Sequence, residues 1–390
     1  MSLDRFRNLQ RQKVELHPRF NLLLGRNGQG KTNFLEAVGY LGTLRSFRSA
    51  GRSEMIGRGQ EMCHVSGDVL SGGSERRVAF TLTRKERVQF LDDRKVGSPE
   101  SYLQALKVIH FIPEDVSLVS GSPSWRRKVV DRAVFDVSPH YASEYRRYLA
   151  ALRQRNALLR RGRAARGEME GWNRTLASTG AALVRRRFDL LLAINPLMDD
   201  LGRRLGLDDG LRLVYQPSFP LTPGVEDSGA VTSRPAAGAG LEDIEKGIGE
   251  GLTETAAREG RAGHTLVGPH RDNIAFVTRA QGQDHDLSRF GSQGQKRGAV
   301  LIFKMALASL VADARGDWPI VLLDDVASEL DKTRREALGR LVREMDAQFF
   351  ISTTGEEYMF LPAEEGRIWN VADGRLRLLE GGLTAQADKA

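Results

Sequence analysis

The sequence contains one cysteine and has no long apolar run. A single cysteine, Cys63, excludes an internal disulfide framework and a zinc site built from several cysteines, and it is typical of a protein from a reducing compartment. No apolar stretch approaches the roughly 18–20 residues that a membrane-spanning helix needs, so we expect no membrane partner. Charged residues follow Met1 where a secretion signal has its apolar core. These features favour a cytoplasmic protein.

Length and charge indicate a protein of more than one lobe with a basic surface. The chain has 390 residues, of which 41% are hydrophobic and 28% are charged, as in globular proteins. Lysine and arginine number 58 against 50 acidic residues, which gives a formal net charge of +8. A basic excess of this kind suggests a polyanionic partner such as a nucleic acid.

A glycine-rich segment over residues 25–32, Gly-Arg-Asn-Gly-Gln-Gly-Lys-Thr, fits the phosphate-loop pattern G-x-x-x-x-G-K-[ST]. It follows an apolar run at 20–24 and precedes a helix predicted over 32–44, the context that the pattern requires. In such a loop Lys31 reaches the β- and γ-phosphates of ATP and Thr32 binds Mg²⁺. The predicted nucleotide-binding residues are Gly25, Arg26, Asn27, Gly28, Gln29, Gly30, Lys31 and Thr32.

A second acidic motif completes the predicted nucleotide site. The apolar run at 320–323 ends in Asp324 and Asp325, as a buried strand with two carboxylates at its end. We predict that Asp324 holds Mg²⁺ with Thr32 and that Asp325 polarises the attacking water. With Lys31, these two aspartates are the predicted catalytic residues. Without the phosphate loop, the same segment would be interpreted as a core strand that ends in two solvated aspartates.

Two further segments resemble motifs of ABC-type ATPases. The first is the signature motif, which precedes a helix predicted over 294–314 and forms a second phosphate site that faces the nucleotide of the other protomer. The second is the D-loop, which follows the acidic strand and crosses the dimer interface. The alternative for the first segment is a helix N-cap followed by a glycine turn. The residues concerned are Ser292, Gln293, Gly294 and Gln295 in the signature and Ser328 and Asp331 in the D-loop.

Taken together, these motifs resemble the RecF family, bacterial recombination-mediator ATPases related to SMC heads. The order of phosphate loop, signature, acidic strand and D-loop matches, and the resemblance extends over nearly the whole chain. Met1 falls inside the strand that we expect at the start of this family. The matching segments lie at 6–8, 25–33, 111–115, 121–123, 126–127, 154–159, 265, 268–272, 290–297, 322–326 and 328–331.

The resemblance implies an α/β fold, an ABC-type P-loop ATPase head with an inserted, mainly helical arm lobe. We assign 1–115 and 262–380 to the head, 116–261 to the arm lobe with a short antiparallel helical hairpin, and 381–390 to a disordered tail. The family's role implies an ATP-dependent homodimer that clamps duplex DNA near single-strand gaps. It also implies partnership with RecO and RecR in loading recombinase, in recombinational repair and in the SOS response.

The basic charge is concentrated in the predicted arm. Between residues 145 and 188 there are twelve arginines and no lysine, and only Glu168 and Glu170 oppose them within the segment. Arginine without balancing acid suggests phosphate contacts, whereas the simpler alternative is a solvated helical face. The predicted DNA-binding residues are Arg146, Arg147, Arg153, Arg160, Arg161 and Arg163.

Two features predict slow, switch-like hydrolysis that DNA stimulates. The second carboxylate is Asp325 rather than the longer glutamate, and residues 352–354 read Ser-Thr-Thr where many ABC ATPases place a histidine. Two other function classes share the phosphate loop, namely an ABC-type transport ATPase subunit and another P-loop phosphotransferase. The missing histidine and the helical insertion argue against the first, and the signature and D-loop argue against the second.

Overall fold

The computed structural model describes residues 1–48, 50–162, 166–207, 210–221, 240–280, 283–327, 330–355 and 365–379. The chain divides into two compact units, Met1–Glu114 with Val311–Ala390 and Asp115–Leu310. Residues 262–310, which we predicted as part of the head, group with the second unit. The reason is that β10 (Asn273–Ala280) pairs over residues 273–277 with β9 (Arg212–Gln216). The predicted tail over 381–390 lies outside the described residues.

The first unit contains a six-stranded sheet that is parallel apart from one edge strand. Its strand order is β15-β14-β3-β13-β12-β8, and only β15 runs antiparallel to its neighbour. Apolar runs predict strands at 20–24, 106–112, 320–323 and 349–352 and a hairpin over 367–379, and each strand of this sheet overlaps one of these segments. The strands are β3 (Phe20–Leu24), β8 (Val108–Phe111), β12 (Ile320–Asp324), β13 (Phe349–Thr353), β14 (Gly366–Ala372) and β15 (Arg375–Leu378).

An antiparallel sheet forms the other layer of the first unit, with the strand order β2-β1-β4-β5-β6-β7. Its first strand is three residues long and pairs with both β2 and β4. Apolar and polar residues alternate over 77–83 and 88–96, which predicts a β-hairpin, and these segments form β5 and β6, which pair antiparallel. The strands are β1 (Ser2–Asp4), β2 (Gln12–Lys13), β4 (Met62–Ser71), β5 (Ser74–Thr83), β6 (Arg87–Leu91) and β7 (Arg94–Lys95).

Helix α1 (Lys31–Thr43) lies between these two sheets in one apolar core. Its Phe34 ring lies 6.0 Å from that of Phe350 on the parallel sheet, and its Tyr40 ring lies 4.6 Å from that of Phe80 on the antiparallel sheet. All four aromatic side chains are buried. This packing fixes the first turn of α1 at the carboxyl end of β3. The other helices of this unit are α2 (Arg52–Met55), α3 (Pro99–Ala105) and α11 (Lys332–Glu344).

The second unit is mainly helical and carries a small sheet of order β11-β10-β9. Strand β11 spans Gln283–Asp286, and α10 begins in this unit and continues to Arg315. The Phe276 and Phe303 rings pack edge to face, which attaches the sheet to α10. The helices are α4 (Ser117–Ser120), α5 (Pro123–Val137), α6 (Tyr141–Arg161), α7 (Arg166–Arg204), α8 (Leu241–Ala262), α9 (Leu287–Phe290) and α10 (Gln293–Arg315).

Helices α6 and α7 form the antiparallel pair expected from the sequence. Arg155 of α6 donates a hydrogen bond to Asn173 of α7 over 2.7 Å, whereas the earlier Glu144 accepts one from the later Arg186 over 3.3 Å. This reversed order of contacts requires antiparallel helices. At about 1.5 Å per residue α6 is about 31 Å long and α7 about 58 Å, so the second helix extends well past the predicted hairpin.

Candidate nucleotide-binding site

The glycine-rich loop connects the buried strand β3 to the first turn of α1. Gly28 and Gly30 adopt φ angles of 80° and 120°, which a residue with a side chain rarely takes. Such angles let successive backbone N–H groups turn toward one point and form a concave anion site at the start of a helix. Arg26, Asn27 and Gly28 are exposed at the rim of this loop.

Lys31 lies almost fully buried at the floor of the loop, with 7% of its surface exposed. Its ammonium donates hydrogen bonds to the carbonyl oxygens of Gly25 and Arg26, the latter over 3.1 Å. Burial lowers the pKa of Lys31, and the carboxylates of Asp324 and Asp325 oppose that shift. A buried cation that donates to carbonyl oxygens is suited to take phosphate oxygens as stronger partners.

Thr32 and Asp324 come together from distant parts of the chain. The Thr32 hydroxyl donates a hydrogen bond to Asp324 Oδ2 over 2.8 Å, and Ser352 Oγ donates one to Asp324 Oδ1 over 2.5 Å. Burial raises the pKa of Asp324, and these two hydrogen bonds oppose the rise. A hydroxyl and a carboxylate oxygen at this distance are the kind of hard oxygen ligands that Mg²⁺ takes beside phosphates.

Ser352 is a member of this site that the sequence analysis treated only as the position of a missing histidine. Parallel pairing of β12 with β13 sets Asp324 opposite Ser352, so the serine reaches the carboxylate directly. Ser352 Oγ also accepts a hydrogen bond from the backbone N–H of Asp325 over 3.0 Å. A small polar residue at the end of the strand beside the acidic strand is the signal that identifies such a partner.

Asp325 follows directly after the acidic strand and adopts a positive φ of 51°. That conformation is uncommon for a residue with a side chain and occurs mostly where surrounding structure imposes it. The bond from its N–H to Ser352 Oγ is one such constraint. Asp325 is half-buried, as expected for a residue at the edge of a site rather than in the core.

The predicted signature residues lie at the exposed N-terminus of α10, in the second unit. The Ser292 N–H donates to Gln295 Oε1 over 2.8 Å, and the Gln295 N–H donates to Ser292 Oγ over 3.2 Å. This reciprocal pair is a capping box, the alternative that the sequence left open. Gln293 and Gly294, between its members, are also exposed.

The predicted D-loop residues are only partly described. Ser328 lies outside the described residues. Asp331 is the N-cap of α11, and its side chain accepts a hydrogen bond from the backbone N–H of Arg334 over 2.9 Å. The Asp331 side chain is 57% exposed, so it caps the helix while its remaining surface faces solvent.

Five of the six arginines predicted to bind DNA are exposed on α6, and Arg163 lies outside the described residues. Three of the five recur every seven residues and therefore lie along one face of the helix. The remaining two lie beside that row. The row consists of Arg146, Arg153 and Arg160, and its neighbours are Arg147 and Arg161.

Two other arginines of the basic segment are buried, which corrects the view of the whole segment as a charged surface. Arg155 donates to Glu259 over 2.5 Å and to the Thr265 hydroxyl over 2.8 Å. Arg187 forms an ion pair with Asp131 at 2.8 Å. Both arginines are 1% exposed. Their acidic partners lie outside the segment over 145–188, so the charge counted within that segment overstates the exposed positive charge.

His270 takes part in the same buried region of the second unit. Its Nδ1 lies 2.6 Å from the Tyr148 hydroxyl, and its Nε2 lies 3.2 Å from the Thr265 carbonyl oxygen. Burial lowers the pKa of His270 to about 4, which keeps the ring neutral at physiological pH. These contacts are those of a structural turn formed by the Gly-Pro-His-Arg-Asp segment over 268–272.

Two other features are not found among the described residues. Among them, no group of three or more His, Cys, Asp or Glu side chains is placed to hold a metal ion. Of the helices in the described part of the chain, none combines the length and the apolar character needed to cross a membrane.

The comparisons with known proteins agree with the geometry. A family model described as RecF/RecN/SMC N terminal domain matches residues 1–373. The chain is 34% identical over 379 residues to the DNA replication and repair protein RecF of Geotalea uraniireducens. The match covers 95% of this chain and 97% of the relative. The chain is 31% identical over 383 residues to the protein of the same name from Streptococcus agalactiae, with 97% of each chain covered.

Solved structures show the same similarity. One described as the recombination mediator protein RecF-ATP in the RecFOR pathway superposes with a TM-score of 0.82 at 28% identity, covering 97% of this chain and 98% of that one. The SMC head bound to the C-winged helix domain of ScpA gives a TM-score of 0.56 at 14% identity, with 98% and 97% covered. The second likeness shows a shared fold and no more.

Proposed function

The chain belongs to the RecF family, and on that premise we propose that it is an ATP-dependent DNA-binding protein of replication and recombinational repair. The observation that carries this proposal is the meeting of Thr32 and Asp324 beside the phosphate loop. RecF relatives match over nearly the whole chain, and their names assign them to DNA replication and repair. The name of one similar structure places RecF with bound ATP in the RecFOR pathway.

We propose that the loop binds the phosphates of ATP through the N–H groups that its glycines orient. Lys31 exchanges its two carbonyl partners for β- and γ-phosphate oxygens. Thr32 and Asp324 hold Mg²⁺, which neutralises phosphate charge when it is bound. Asp325 orients the attacking water, and Ser352 holds the Asp324 carboxylate in place. The nucleotide is thus bound by several residues that the fold brings together before the nucleotide arrives.

The signature residues lie in a different unit from the phosphate loop and are exposed. We propose that Ser292, Gln293, Gly294 and Gln295 contact the γ-phosphate of the nucleotide bound to a second copy of the chain, with Ser328 and Asp331 crossing the interface. Two such sites in a symmetric dimer are related by a two-fold axis. ATP then joins two copies, and hydrolysis separates them.

The dimer closed by ATP is proposed to clamp duplex DNA near single-strand gaps, where RecO and RecR type mediators assist the loading of recombinase. A cytoplasmic location and a role in the SOS response accompany this function. The exposed arginine row on α6 offers phosphate contacts without base readout. Binding through phosphates suits a protein that recognises a DNA structure rather than a sequence.

We expect slow hydrolysis because the groups that position water are weak. Asp325 has a shorter side chain than glutamate, and Ser352, in the segment where many ABC ATPases place a histidine, donates its hydrogen bond to Asp324. The turnover without DNA should be below about one per second, at the low end of enzyme rates, and duplex DNA should raise it. Phosphate release measured with and without duplex DNA tests this. A turnover of many per second without DNA would contradict the switch.

The same assay separates the proposed function from the two alternatives. A transport ATPase subunit or a small-molecule phosphotransferase has no reason to respond to duplex DNA. The family membership and the RecF relatives favour the proposed DNA-repair function over both alternatives.

Replacing Arg153, Arg160 and Arg161 together with glutamine should weaken DNA binding and flatten its salt dependence. Each phosphate contact contributes about 0.9 to the slope of log affinity against log salt, so the slope should fall by about 2–3 if all three make contact. Fluorescence anisotropy of a labelled duplex, titrated at several salt concentrations, measures that slope.

A matched control removes three exposed charges from the first unit, at Lys85, Arg94 and Lys95. Both triple variants change the net charge equally, so only a local contact distinguishes them. Equal loss of affinity in the two variants would show a general charge effect and would remove the arm from the proposed DNA surface.

A further inference from the structure

The turn of the β14–β15 hairpin contacts the phosphate loop from the opposite end of the sequence. Asp373 and Gly374 form this turn with φ angles of 48° and 72°, as in a type I′ turn. The Asp373 N–H donates to Gln29 Oε1 over 2.8 Å, and the Gly374 N–H donates to the Gln29 carbonyl oxygen over 3.0 Å. Gln29 is therefore held by both its side chain and its backbone.

A second donor also reaches the carbonyl oxygen of Gln29. Asn8 Nδ2 donates to the Gln29 carbonyl oxygen over 3.3 Å, and Asn8 Oδ1 accepts from Asn33 Nδ2 over 2.7 Å. The hairpin turn is in turn held from its other side, since the Gly374 carbonyl oxygen accepts from the Gln10 N–H over 3.0 Å. The segment after β1, the phosphate loop and the hairpin turn thus form one hydrogen-bonded cluster within the first unit.

These bonds determine the direction of a neighbouring donor. In a planar trans peptide the C=O and N–H groups point in opposite directions. Because the Gln29 carbonyl points to Gly374 and Asn8, the Gly30 N–H points away from the hairpin. The Gly30 N–H belongs to the loop that precedes α1. It is one of the backbone donors of the proposed anion site, so its direction affects how an anion is bound there.

We propose that the Asp373–Gly374 turn is a positioning element of the nucleotide site, which orients the Gln29–Gly30 peptide before ATP binds. Gln29, predicted as a nucleotide contact, acts in this account through its peptide rather than its side chain, because the side-chain oxygen already accepts from Asp373. The inference rests on the proposed nucleotide site and adds to it Asp373, which lies 343 positions after Gly30 in the sequence. Donors oriented in advance bind an anion without the cost of ordering them.

Gly374 is the position at which this contact is most easily tested. A Cβ atom there would lie 2.0 Å from the carbonyl oxygen of Asn8 and 2.9 Å from its carbonyl carbon. Gly73 in the β4–β5 turn offers a matched control, because its φ of 74° is nearly equal and nothing lies within 4 Å of its Cβ position. An alanine at either position has a similar backbone cost, and only the one at 374 clashes with the Asn8 backbone and so disturbs the turn and the Asn8 segment that hold Gln29.

The experiment measures binding of MgATP and MgADP by calorimetry to full-length Gly374→Ala, Gly73→Ala and the unchanged protein. We expect Gly374→Ala to bind both nucleotides about tenfold more weakly or worse, since its donors are no longer preorganised, and Gly73→Ala to bind as the unchanged protein does. Hydrogen exchange without nucleotide should speed up over residues 25–32 only in Gly374→Ala. This second readout reports the loop itself and is independent of turnover.

Equal affinities for Gly374→Ala and Gly73→Ala, with unchanged exchange in the loop, would overturn the inference. If Gly374→Ala does not fold, Asn8→Ala removes one of the two donors to the Gln29 carbonyl without a steric clash, and it should show a smaller loss of the same kind. Binding of MgATP by the unchanged protein distinguishes a failure of this inference from a failure of the proposed function. If the unchanged protein fails to bind MgATP, the nucleotide site is wrong; if it binds and the variants bind equally well, only the positioning role is wrong.

Discussion

Arg155→Met is expected to lower the free energy of unfolding by about 3–5 kcal/mol, the cost of breaking a buried ion pair by removing one partner. Arg155 is 1% exposed and Glu259 is fully buried. Without the guanidinium, the Glu259 carboxylate keeps one hydrogen bond from the Leu266 N–H at 2.7 Å and loses its charge partner. Urea unfolding followed by circular dichroism measures the loss.

Two variants make this result specific to the buried pair. Arg153→Met removes an exposed arginine two positions earlier on the same helix and should change the stability by less than about 1 kcal/mol. Adding Glu259→Gln to Arg155→Met removes the unpaired charge but keeps an acceptor for Leu266, so part of the lost stability should return. A loss in Arg155→Met no larger than in Arg153→Met would contradict the role of the pair.

The two arginines should also differ in their effect on DNA binding. Arg155 contacts Asn173, Thr265 and Glu259, and these contacts join helices α6, α7 and α8 in the second unit. It is therefore a structural residue, although its sequence context is the same as that of Arg153. A row of like charges in a sequence does not show which members face the solvent, because the partners that bury a charge lie far away in the chain.

Motif order was sufficient to predict which residues meet at the candidate nucleotide site. The phosphate loop and the acidic strand were assigned from spacing and context, and the structure brings Thr32 and Asp324 to hydrogen-bond distance. Such local patterns are readable because a loop that wraps phosphate needs glycines at particular positions. The roles of these residues in binding and hydrolysis stay predictions until nucleotide is added.

The contacts that support the site were not readable from the sequence. Ser352 reaches Asp324 only because β12 and β13 are neighbours in register, and the Asp373–Gly374 turn reaches Gln29 only because β14 lies beside β3. Strand neighbours in a parallel sheet are separated by long stretches of sequence. Periodicity within one segment therefore carries no information about them.

Some elements were missed for local reasons. Strand β4 begins with an exposed Met62 and includes Gly67 and Asp68, which obscure the alternation expected of a strand. Helix α8 contains Gly247, Gly249 and Gly251, and glycine is a poor helix former. Gly247 is nevertheless required, because a Cβ there would lie 2.1 Å from the carbonyl oxygen of Pro220. Close packing against Pro220 therefore explains why glycine, which made the helix hard to predict, occurs at position 247.

Lys31→Met is expected to reduce affinity for MgATP by about 100-fold or more. The lysine supplies a charged hydrogen-bond donor at the floor of the loop, and hydrogen bonds to charged groups contribute about 1.5–3 kcal/mol each. The folded structure should persist, because the lysine bonds only to loop carbonyls and methionine fills a similar volume. Calorimetric titration measures the affinity, and Lys85→Met, at an exposed turn, controls for the loss of one charge.

Ser292→Arg should leave this affinity unchanged and prevent dimerisation, because in the proposed dimer Ser292 contacts the nucleotide of the other copy and not the nucleotide of its own. Weaker MgATP binding by Ser292→Arg would contradict the assignment of the signature to a second protomer. Unchanged binding by Lys31→Met would likewise contradict the role of Lys31. Together the two variants separate the two halves of each proposed composite site.

The central claim, that ATP joins two copies through sites shared between them, is tested most directly by mixing these variants. In a heterodimer of Lys31→Met with Ser292→Arg, one site has an intact phosphate loop and an intact signature, whereas the other has neither. Sedimentation velocity with MgATP should show monomers for each variant alone and dimers in the mixture. Dimers formed by either variant alone, or by the unchanged protein without nucleotide, would contradict the claim, as would a mixture that stays monomeric.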